Sequence, residues 1–220
     1  MNKSNQIDSY KHKGMRNALV KKVASKGITD ANVLNALSAV PRHFFFENAF
    51  LEHAYQDKAF PIGSGQTISQ PFTVAYQTQL LNVKRGEKIL EIGTGSGYQC
   101  CILLEMGAKV FTIEYQKPLY ELTKVFLPKI GYLPRFKHGD GTLGWPIFAP
   151  FDKILVTAGA PQIPKTLIEQ LKPGGVMVIP VGDEDNQSMY RLKKVDENKI
   201  EKETFDLFKF VPLLGKEGWK

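Results

Sequence analysis

Short apolar runs alternate with helical patterns through the second half of the chain. Five runs have the length and composition of strands: KILEI at 88–92, KVFTIE at 109–114, RFKHGD at 135–140, DKILVTA at 152–158 and GGVMVIPV at 174–181. Helical stretches separate most of them, which is typical of parallel strands joined by crossover helices. From Met189 to Leu214, apolar and polar residues alternate around DENK, which predicts an antiparallel hairpin at the sheet edge.

The first part of the chain, to about residue 56, has helical patterns. We predict one helix that ends near Gly27 and another that begins at Thr29 or Asp30 and stops at Pro41. A further helix is predicted over 70–82. The intervening stretch FPIGSGQTISQPF has too few apolar residues in register for an ordinary strand or helix, and it is interpreted as a loop.

Together these elements predict an α/β fold. We expect a Rossmann-like, doubly wound and mostly parallel sheet with helices on both faces, antiparallel C-terminal edge strands and an N-terminal helical extension. One domain over 1–220 is expected, with the extension at 1–56, a loop and helix at 57–83 and the α/β core at 84–214.

Composition excludes several classes of protein. Hydrophobic residues at 43% and charged residues at 23% are ordinary for a soluble globular protein, and no apolar run approaches the roughly 18 residues of a membrane span. The N-terminus has no apolar signal segment, so we expect a cytoplasmic protein. The net charge of +7 would suit nucleic acid. However, the densest basic cluster, at 11–22, has apolar residues at helical spacing, which favours the solvated face of a helix.

The cysteines and histidines do not form a metal-binding pattern. Cys100 and Cys101 are adjacent, so they are poorly placed to form a disulfide, and we expect both to be buried as small apolar residues. The four histidines are scattered and show no ligand spacing relative to the cysteines, so no metal is expected. They are His12, His43, His53 and His138.

A glycine-rich turn follows the first of the five predicted strands and opens a helix. In EIGTGSGYQ at 91–99, such a turn lets a ligand approach the backbone closely and aims free N–H groups at it. The same glycines could instead simply form a tight turn. Glu114, 19 residues beyond Gly95 at the end of the next strand, occupies the position from which a carboxylate binds ribose hydroxyls.

The glycine spacing discriminates between nucleotide cofactors. A dinucleotide fingerprint starting at Gly93 needs a glycine at the sixth position, where this chain has Tyr98. Glu91, two residues before the turn, would repel a pyrophosphate but suit a cationic ligand. S-adenosylmethionine, with an adenosine, no phosphates and a positive sulfonium and ammonium, fits better than NAD. Asp140 in the GDG sequence either accepts a hydrogen bond from the adenine amino group or belongs to an ordinary polar turn.

Seven segments resemble the protein-L-isoaspartate O-methyltransferase family, in order from about Gly27 to Gly215. They are VPRHFF (40–45), AYQDKAFPIGSGQTISQP (54–71), EIGTGSGYQ (91–99), GDGTLGW (139–145), APFDKILVTA (149–158), IPKTLIEQLKPGG (163–175) and FVPLLG (210–215). The glycine motif alone indicates only the broad class of S-adenosylmethionine-dependent methyltransferases, whereas GQTISQP is far more specific. The resemblance implies methyl transfer from S-adenosylmethionine to the free α-carboxylate of isoaspartyl residues in damaged proteins and peptides.

The resemblance also implies site residues. Ser69 falls on the family's active-site serine, and we expect Ser69 and Thr67 to donate hydrogen bonds to the acceptor, although Ser69 also has the position of a helix N-cap. The positions expected to bind the methyl donor are Gln66, Thr67, Ile68, Ser69, Glu91, Gly93, Thr94, Gly95, Gly97, Glu114, Asp140 and Gly141. Val74 and Leu214 depart from the pattern, since some members have histidine and threonine there.

The expected acceptor needs no general base. An α-carboxylate with an ordinary pKa of roughly 3.5 is already an anionic nucleophile at neutral pH. Catalysis then depends on alignment of oxygen, methyl carbon and sulfur, with the reacting atoms about 3 to 3.5 Å apart. The loop at 60–72, assigned as the acceptor loop, would supply this alignment, and its prolines and apolar residues would exclude water.

Two other functions are compatible with a methyl-donor pocket. A nucleic-acid methyltransferase, with RNA as its acceptor, would suit the basic charge, but such enzymes usually carry an Asn/Asp-Pro-Pro-aromatic motif where this chain has TAGAP at 157–161. A non-catalytic S-adenosylmethionine-binding module would not need the GQTISQP loop. We therefore expect isoaspartyl proteins and peptides as substrates, no specific nucleic acid, no membrane and a monomer.

Overall fold

The computed structural model describes residues 7–220, so the first six residues of the predicted extension lie outside the described residues. The helices are α1 (Tyr10–Ser25), α2 (Ala31–Ala39), α3 (Pro71–Leu81), α4 (Tyr98–Glu105), α5 (Lys117–Lys129) and α6 (Lys165–Glu169). The strands are β1 (Phe60–Gly63), β2 (Gln66–Ile68), β3 (Lys88–Ile92), β4 (Lys109–Glu114), β5 (Arg135–His138), β6 (Phe151–Val156), β7 (Leu171–Gly182), β8 (Gln187–Lys194) and β9 (Ile200–Phe208). Short 3₁₀ helices cover Arg42–Phe45, Asn48–His53, Gly141–Leu143 and Pro146–Phe148.

Seven of the strands form one mixed sheet in the order β5-β4-β3-β6-β7-β8-β9. The first five pair in parallel, and β8 and β9 continue the sheet as an antiparallel hairpin. The chain runs outward from β3 to β5 and then crosses back to β6 on the other side of β3. This reversal creates a crevice at the carboxyl ends of β3 and β6, which is where open α/β sheets bind ligands. The predicted fold class is confirmed.

Two apolar cores cover the two faces of the sheet. One packs the N-terminal helices and α3, α4 and α5 against the sheet through fully buried residues such as Val23, Leu81 and Leu127. The other packs α6 and the 3₁₀ segments around Phe151 and Leu167. Both cysteines are fully buried in α4, as expected. No helix within 7–220 is long and apolar enough to cross a membrane.

Local capping signals explain the N-terminal helices. Gly27, with φ of +103°, follows the end of α1 in a conformation that favours glycine. The carboxylate of Asp30 accepts a hydrogen bond from the Asn32 N–H at 2.8 Å and so caps α2. Both predicted helix boundaries are confirmed within two residues.

The structure differs from the predicted elements in four places. The stretch at 60–72 is partly ordered as β1 and β2, a two-stranded antiparallel ribbon, rather than wholly as a loop. The strand predicted over 135–140 ends at His138, because Gly139 and Asp140 begin a turn. The strand predicted over 174–181 extends over Leu171–Gly182, and the C-terminal hairpin ends at Phe208.

Candidate active site

A cleft opens at the crevice between β3 and β6. The segments that line it include the ribbon strand β2 with Ser69, the glycine turn after β3, the end of β4 and the C-terminal stretch Val211–Leu214. Of the residues expected to bind a methyl donor, those lining the cleft are Gln66, Thr67, Ile68, Ser69, Gly93, Thr94, Gly95, Glu114 and Gly141.

The glycine turn brings the backbone to the cleft in conformations that favour glycine. Gly93, Gly95 and Gly97 have φ of +98°, +52° and +86°. A Cβ on Gly93 would lie 2.5 Å from Thr157 Oγ1, and one on Gly97 would lie 2.9 Å from Leu127. Gly97 does not line the cleft, and the lack of a Cβ lets α4 begin against α5. Its expected contact with the methyl donor stays a prediction.

The turn does not present a row of free N–H groups, contrary to the sequence prediction. The N–H groups of Gly93 and Thr94 donate to the Ile113 carbonyl, at 2.9 and 3.3 Å. The Gly95 N–H donates to Glu114 Oε2 at 2.7 Å, and the Gly97 N–H donates to the Thr94 carbonyl at 2.8 Å. The turn therefore offers close approach to its backbone rather than an anion cradle, which agrees with a ligand that has no phosphates.

The carboxylate of Glu114, the last residue of β4, is hydrogen-bonded to the glycine turn that follows β3. Its Oε1 accepts from the Gln116 N–H at 2.8 Å, so each carboxylate oxygen receives one backbone hydrogen bond. Burial raises the pKa of Glu114, while the N–H groups of Gln116 and Gly95 oppose this shift. A carboxylate oxygen accepts more than one hydrogen bond, so both oxygens keep lone pairs for ligand hydroxyl groups.

Glu91 does not line the cleft, and its expected role beside a cationic ligand stays a prediction. Strand alternation places its side chain beneath the turn, where it is 0% exposed and absent from the cleft lining. Thr112 Oγ1 donates to its Oε2 at 2.6 Å, and Oε1 has no hydrogen-bond partner among residues 7–220. Burial raises the pKa of Glu91 to about 8, so the group is mainly protonated and neutral at pH 7.

The carboxylate of Asp140 accepts hydrogen bonds from within the chain. Its Oδ1 accepts from the Thr142 N–H at 2.8 Å and caps a 3₁₀ helix, while Oδ2 accepts from the Lys216 N–H at 2.7 Å. The carboxylate thus ties the C-terminal stretch to the sheet and is not among the cleft-lining groups. These contacts agree with the polar-turn alternative, and the neighbouring Gly141 lines the cleft. The expected hydrogen bond from an adenine amino group to Asp140 stays a prediction.

Ser69 is not the cap of α3. The N-cap residue is Gln70, which makes no side-chain capping bond, and the first-turn N–H of Phe72 donates to Asp57 Oδ1 at 2.9 Å. Asp57 is in turn bonded to Lys26 Nζ at 2.5 Å. A distant carboxylate therefore caps this helix. The hydroxyl of Ser69 makes no hydrogen bond within the described part of the chain, and it lines the cleft ready to bind a ligand.

Several cleft residues were not predicted from the sequence. Thr157, at the end of β6, donates to the carbonyls of Ile92 and Gly93 at 2.9 and 2.7 Å and supports the glycine turn. Gln99 Nε2 donates to Thr78 Oγ1 at 3.0 Å, which leaves Gln99 Oε1 buried without a partner in the described chain. Thr157 could have been found only from strand order, because β3 and β6 are distant in sequence.

The two positions that depart from the family pattern, Val74 and Leu214, both line the cleft.

A separate cluster brings together Asp8, His12 and His43, which the sequence spacing did not suggest. The imidazole rings stack at 3.8 Å between centroids. Both oxygens of Asp8 accept from Arg16, at 2.9 Å each, so the carboxylate is already neutralised by a guanidinium. The absence of a metal stays a prediction.

The cleft fits S-adenosylmethionine. Glu114 is the only titratable acid or base along its lining in residues 7–220 other than tyrosines, so the site carries negative charge and no cation that would attract phosphate. The amide orientation of Gln99 is fixed, because Thr78 Oγ1 donates to the Val74 carbonyl at 2.7 Å and therefore accepts from Gln99 Nε2. The orphaned Gln99 Oε1 calls for a hydrogen-bond donor from a ligand.

Comparison with known proteins decides the family. The model of the family described as Protein-L-isoaspartate(D-aspartate) O-methyltransferase (PCMT) matches residues 14–218. The chain belongs to this family. It is accordingly an enzyme, and its class of reaction is methyl transfer that depends on S-adenosylmethionine.

The protein-L-isoaspartate O-methyltransferase of Cytophaga hutchinsonii is 61% identical over 212 residues, covering 96% of each chain. That of Flavobacterium psychrophilum is 56% identical over 210 residues, covering 94% of this chain and 97% of the other.

Solved structures of the family share the fold over nearly the whole chain. One protein-L-isoaspartate O-methyltransferase superposes with a TM-score of 0.82 at 27% identity, covering 92% of this chain and 66% of that longer chain. A second, from Plasmodium falciparum, was solved in complex with S-adenosyl-L-homocysteine. It superposes with a TM-score of 0.76 at 26% identity, covering 90% of this chain and 98% of the other.

Proposed function

We propose that this chain transfers the methyl group of S-adenosylmethionine to the free α-carboxylate of isoaspartyl residues in damaged proteins and peptides. The observation that carries the proposal is the position of Ser69. Its unpartnered hydroxyl lines the same cleft as the glycine turn and Glu114, so an acceptor group and a methyl donor can meet there. The family match over 14–218 supports the same reaction.

The chain's residues hold the donor and do not need to activate it. When bound, S-adenosylmethionine supplies an electrophilic methyl group on a sulfonium centre. Glu114 would accept hydrogen bonds from the ribose hydroxyls, and Gln99 Oε1 would accept one from a further donor group. Gly95 and Gly141 line the cleft and would let the donor approach their backbone, and a Cβ on Gly141 would also clash with Ile92. These roles are proposals from charge, hydrogen-bonding capacity and position.

The acceptor side works by alignment. The hydroxyls of Ser69 and Thr67 donate to one carboxylate oxygen or to the neighbouring peptide, which leaves the other oxygen to attack the methyl carbon. The new O–C bond forms as the C–S bond breaks, so no proton needs to be removed. The apolar residues Ile68, Val74 and Leu213 line the same cleft and exclude water from the anion.

Repair follows from the chemistry of the product. The methoxy group of the ester leaves more readily than an oxygen of the free carboxylate. The next backbone nitrogen therefore attacks the ester carbonyl carbon and closes a succinimide with loss of methanol. Hydrolysis of the succinimide yields normal aspartate in part.

We further propose that the chain acts as a cytoplasmic monomer without a metal ion, as one domain with an acceptor segment at 57–83 and a cofactor-binding core at 84–214.

The test is transfer of a labelled methyl group from S-adenosylmethionine to two peptides identical except for isoaspartate or aspartate at one position. We expect label on the isoaspartyl peptide alone, as a base-labile ester. Label on neither peptide, with the donor still bound, would overturn the proposed acceptor. An RNA acceptor would then be tested, and a protein that bound the donor but labelled nothing would be a binding module.

A further inference from the structure

Arg42 is the largest fully buried side chain of the described residues. It lies in the 3₁₀ helix Arg42–Phe45, and its guanidinium is 0% exposed. Nε donates to the Ala54 carbonyl at 3.1 Å, and Nη2 donates to the Ser69 carbonyl at 2.9 Å. The guanidinium carbon also lies 4.6 Å from the centroid of the Tyr98 ring, at the start of α4. One side chain thus links the N-terminal segment, the acceptor serine and the helix that follows the glycine turn.

The positive charge of Arg42 has no carboxylate partner in the part of the chain described. Its hydrogen bonds go to neutral backbone carbonyls, those of Ala54, Ser69 and, at 3.4 Å, Lys58. Its Nη1 has no hydrogen-bond partner within residues 7–220. Asp57 acts on it only through space, since the Asp57 carboxylate is bonded to Lys26 and to the Phe72 N–H. Burial lowers the pKa of Arg42 to about 10, so it remains charged at pH 7.

A buried cation without an anion is costly, and removing water from it strengthens its field. Ser69 lines both the donor cleft and an adjoining groove, here called the acceptor groove. The acceptor groove is formed by Ala59, Thr67, Ser69, Gln70, Phe72, Thr73, Thr157 and residues 207–211. The one cation along it, Lys209, is exposed and paired with Asp185 at 2.7 Å. Arg42 therefore carries an unpaired positive charge and is hydrogen-bonded to Ser69, the residue that lines both the cleft and the groove.

We propose that Arg42 is a positioning residue for methyl transfer: it holds Ser69 through its backbone carbonyl, and its unpaired charge makes the site selective for an anionic acceptor. This inference rests on the proposed function and deepens it. The charge offsets the repulsion that Glu114, in the adjoining donor cleft, exerts on an incoming carboxylate. Arg42 does not line either pocket, so it acts through Ser69 and through its field rather than by touching the acceptor.

The test compares two inhibitory peptides in the presence of S-adenosylhomocysteine: an isoaspartyl peptide and its carboxamide analogue, in which the α-carboxylate is neutral. In Arg42→Met we expect the affinity for the anionic peptide to fall at least tenfold, which is about 1.4 kcal/mol. Affinities for the neutral peptide and for S-adenosylhomocysteine should change less than threefold. Arg42→Lys keeps the charge but cannot bond both carbonyls, so it should retain the preference for the anion while lowering kcat.

Arg16→Met is the matched control. Arg16 is also a buried guanidinium of the N-terminal segment, but it is paired with Asp8 at 2.9 Å. Its loss should lower Tm without changing the ratio of the two peptide affinities.

Equal losses of affinity for the anionic and the neutral peptide in Arg42→Met would overturn the inference. If Arg42→Met does not fold, Arg42→Ala supplemented with guanidinium ions replaces that variant. Failure of the ions to restore the preference for the anionic peptide would count equally against the inference. An inactive wild-type enzyme would contradict the proposed function instead.

Discussion

Gly95→Ala separates the two roles of the glycine turn. Gly95 has φ of +52°, and a Cβ built on it finds only Ile62 Cδ1 within 4 Å, at 3.4 Å. That distance is an ordinary van der Waals contact, so the substitution fits the folded chain. The methyl group would nevertheless occupy space at the backbone that lines the donor cleft.

The expected cost to stability is small and calculable. An alanine in the left-handed region costs about 1–2 kcal/mol relative to glycine, with no further penalty from a clash at this position. Gly86→Ala is the matched control, since Gly86 has φ of +86° and a Cβ there meets nothing within 4 Å. Both variants should therefore lose about 1–2 kcal/mol of unfolding free energy in urea titrations.

Only Gly95→Ala should affect the donor. A carbon atom needs about 3.5–4 Å to its neighbours, so a ligand packed on the Gly95 backbone must retreat from the added methyl. We expect the affinity for S-adenosylhomocysteine, measured by calorimetry, to fall by about 10- to 100-fold, or about 1.4–2.7 kcal/mol. Gly86→Ala should bind as the wild type does. Unchanged affinity in Gly95→Ala, with the stability loss present, would refute the placement of the donor on this turn.

Three further predictions follow from single contacts. Ser69→Ala removes a hydroxyl that has no hydrogen-bond partner in the described chain, so Tm should stay within about 2 °C of the wild-type value. The kcat/KM for an isoaspartyl peptide should fall about 10- to 100-fold, and unchanged steady-state kinetics would remove Ser69 from the mechanism. Asp57→Ala removes the cap of α3 and the partner of Lys26, and urea unfolding should show a loss of about 2–4 kcal/mol, whereas a loss under about 0.5 kcal/mol would contradict the capping role. Glu91, with its pKa raised from 4.5 to about 8, holds its proton more tightly in the folded state, so wild-type stability should fall relative to Glu91→Gln as pH rises from 5 to 8. The difference should approach roughly 3 kcal/mol in urea unfolding at the two pH values, and a pH-independent difference would mean that Glu91 is ionised when folded.

Features encoded within short stretches were predictable from the sequence. The strand KILEI, the glycine turn and Glu114 follow from local apolar patterning and from the geometry of βα units, and the structure places Glu114 at the cleft. The caps at Gly27 and Asp30 also depend on residues within a few positions. The family resemblance added the acceptor loop, whose chemistry no periodicity could supply.

Features that depend on distant contacts were not predictable. The cap of α3 is Asp57 rather than the adjacent Ser69, because tertiary packing brings a remote carboxylate to the helix end. Glu91 is two residues from the turn, but the alternation of side chains along β3 directs it into the protein interior. There Thr112 Oγ1 donates a hydrogen bond to it. Arg42 lies in VPRHFF, one of the segments that carry the family resemblance, but nothing in that segment indicates a contact with Ser69. Its importance becomes visible only when Ser69 is found bonded to it.

The measurement that tests the account most directly is a time course of an isoaspartyl peptide with the enzyme and S-adenosylmethionine, followed by mass spectrometry and chromatography. The account predicts one S-adenosylhomocysteine per methyl ester formed, a transient ester and succinimide, release of methanol, and growing amounts of the aspartyl peptide. Omitting the methyl donor should abolish all of these. A methyl group that stays on the peptide through base treatment, or an aspartyl peptide that never appears, would contradict it.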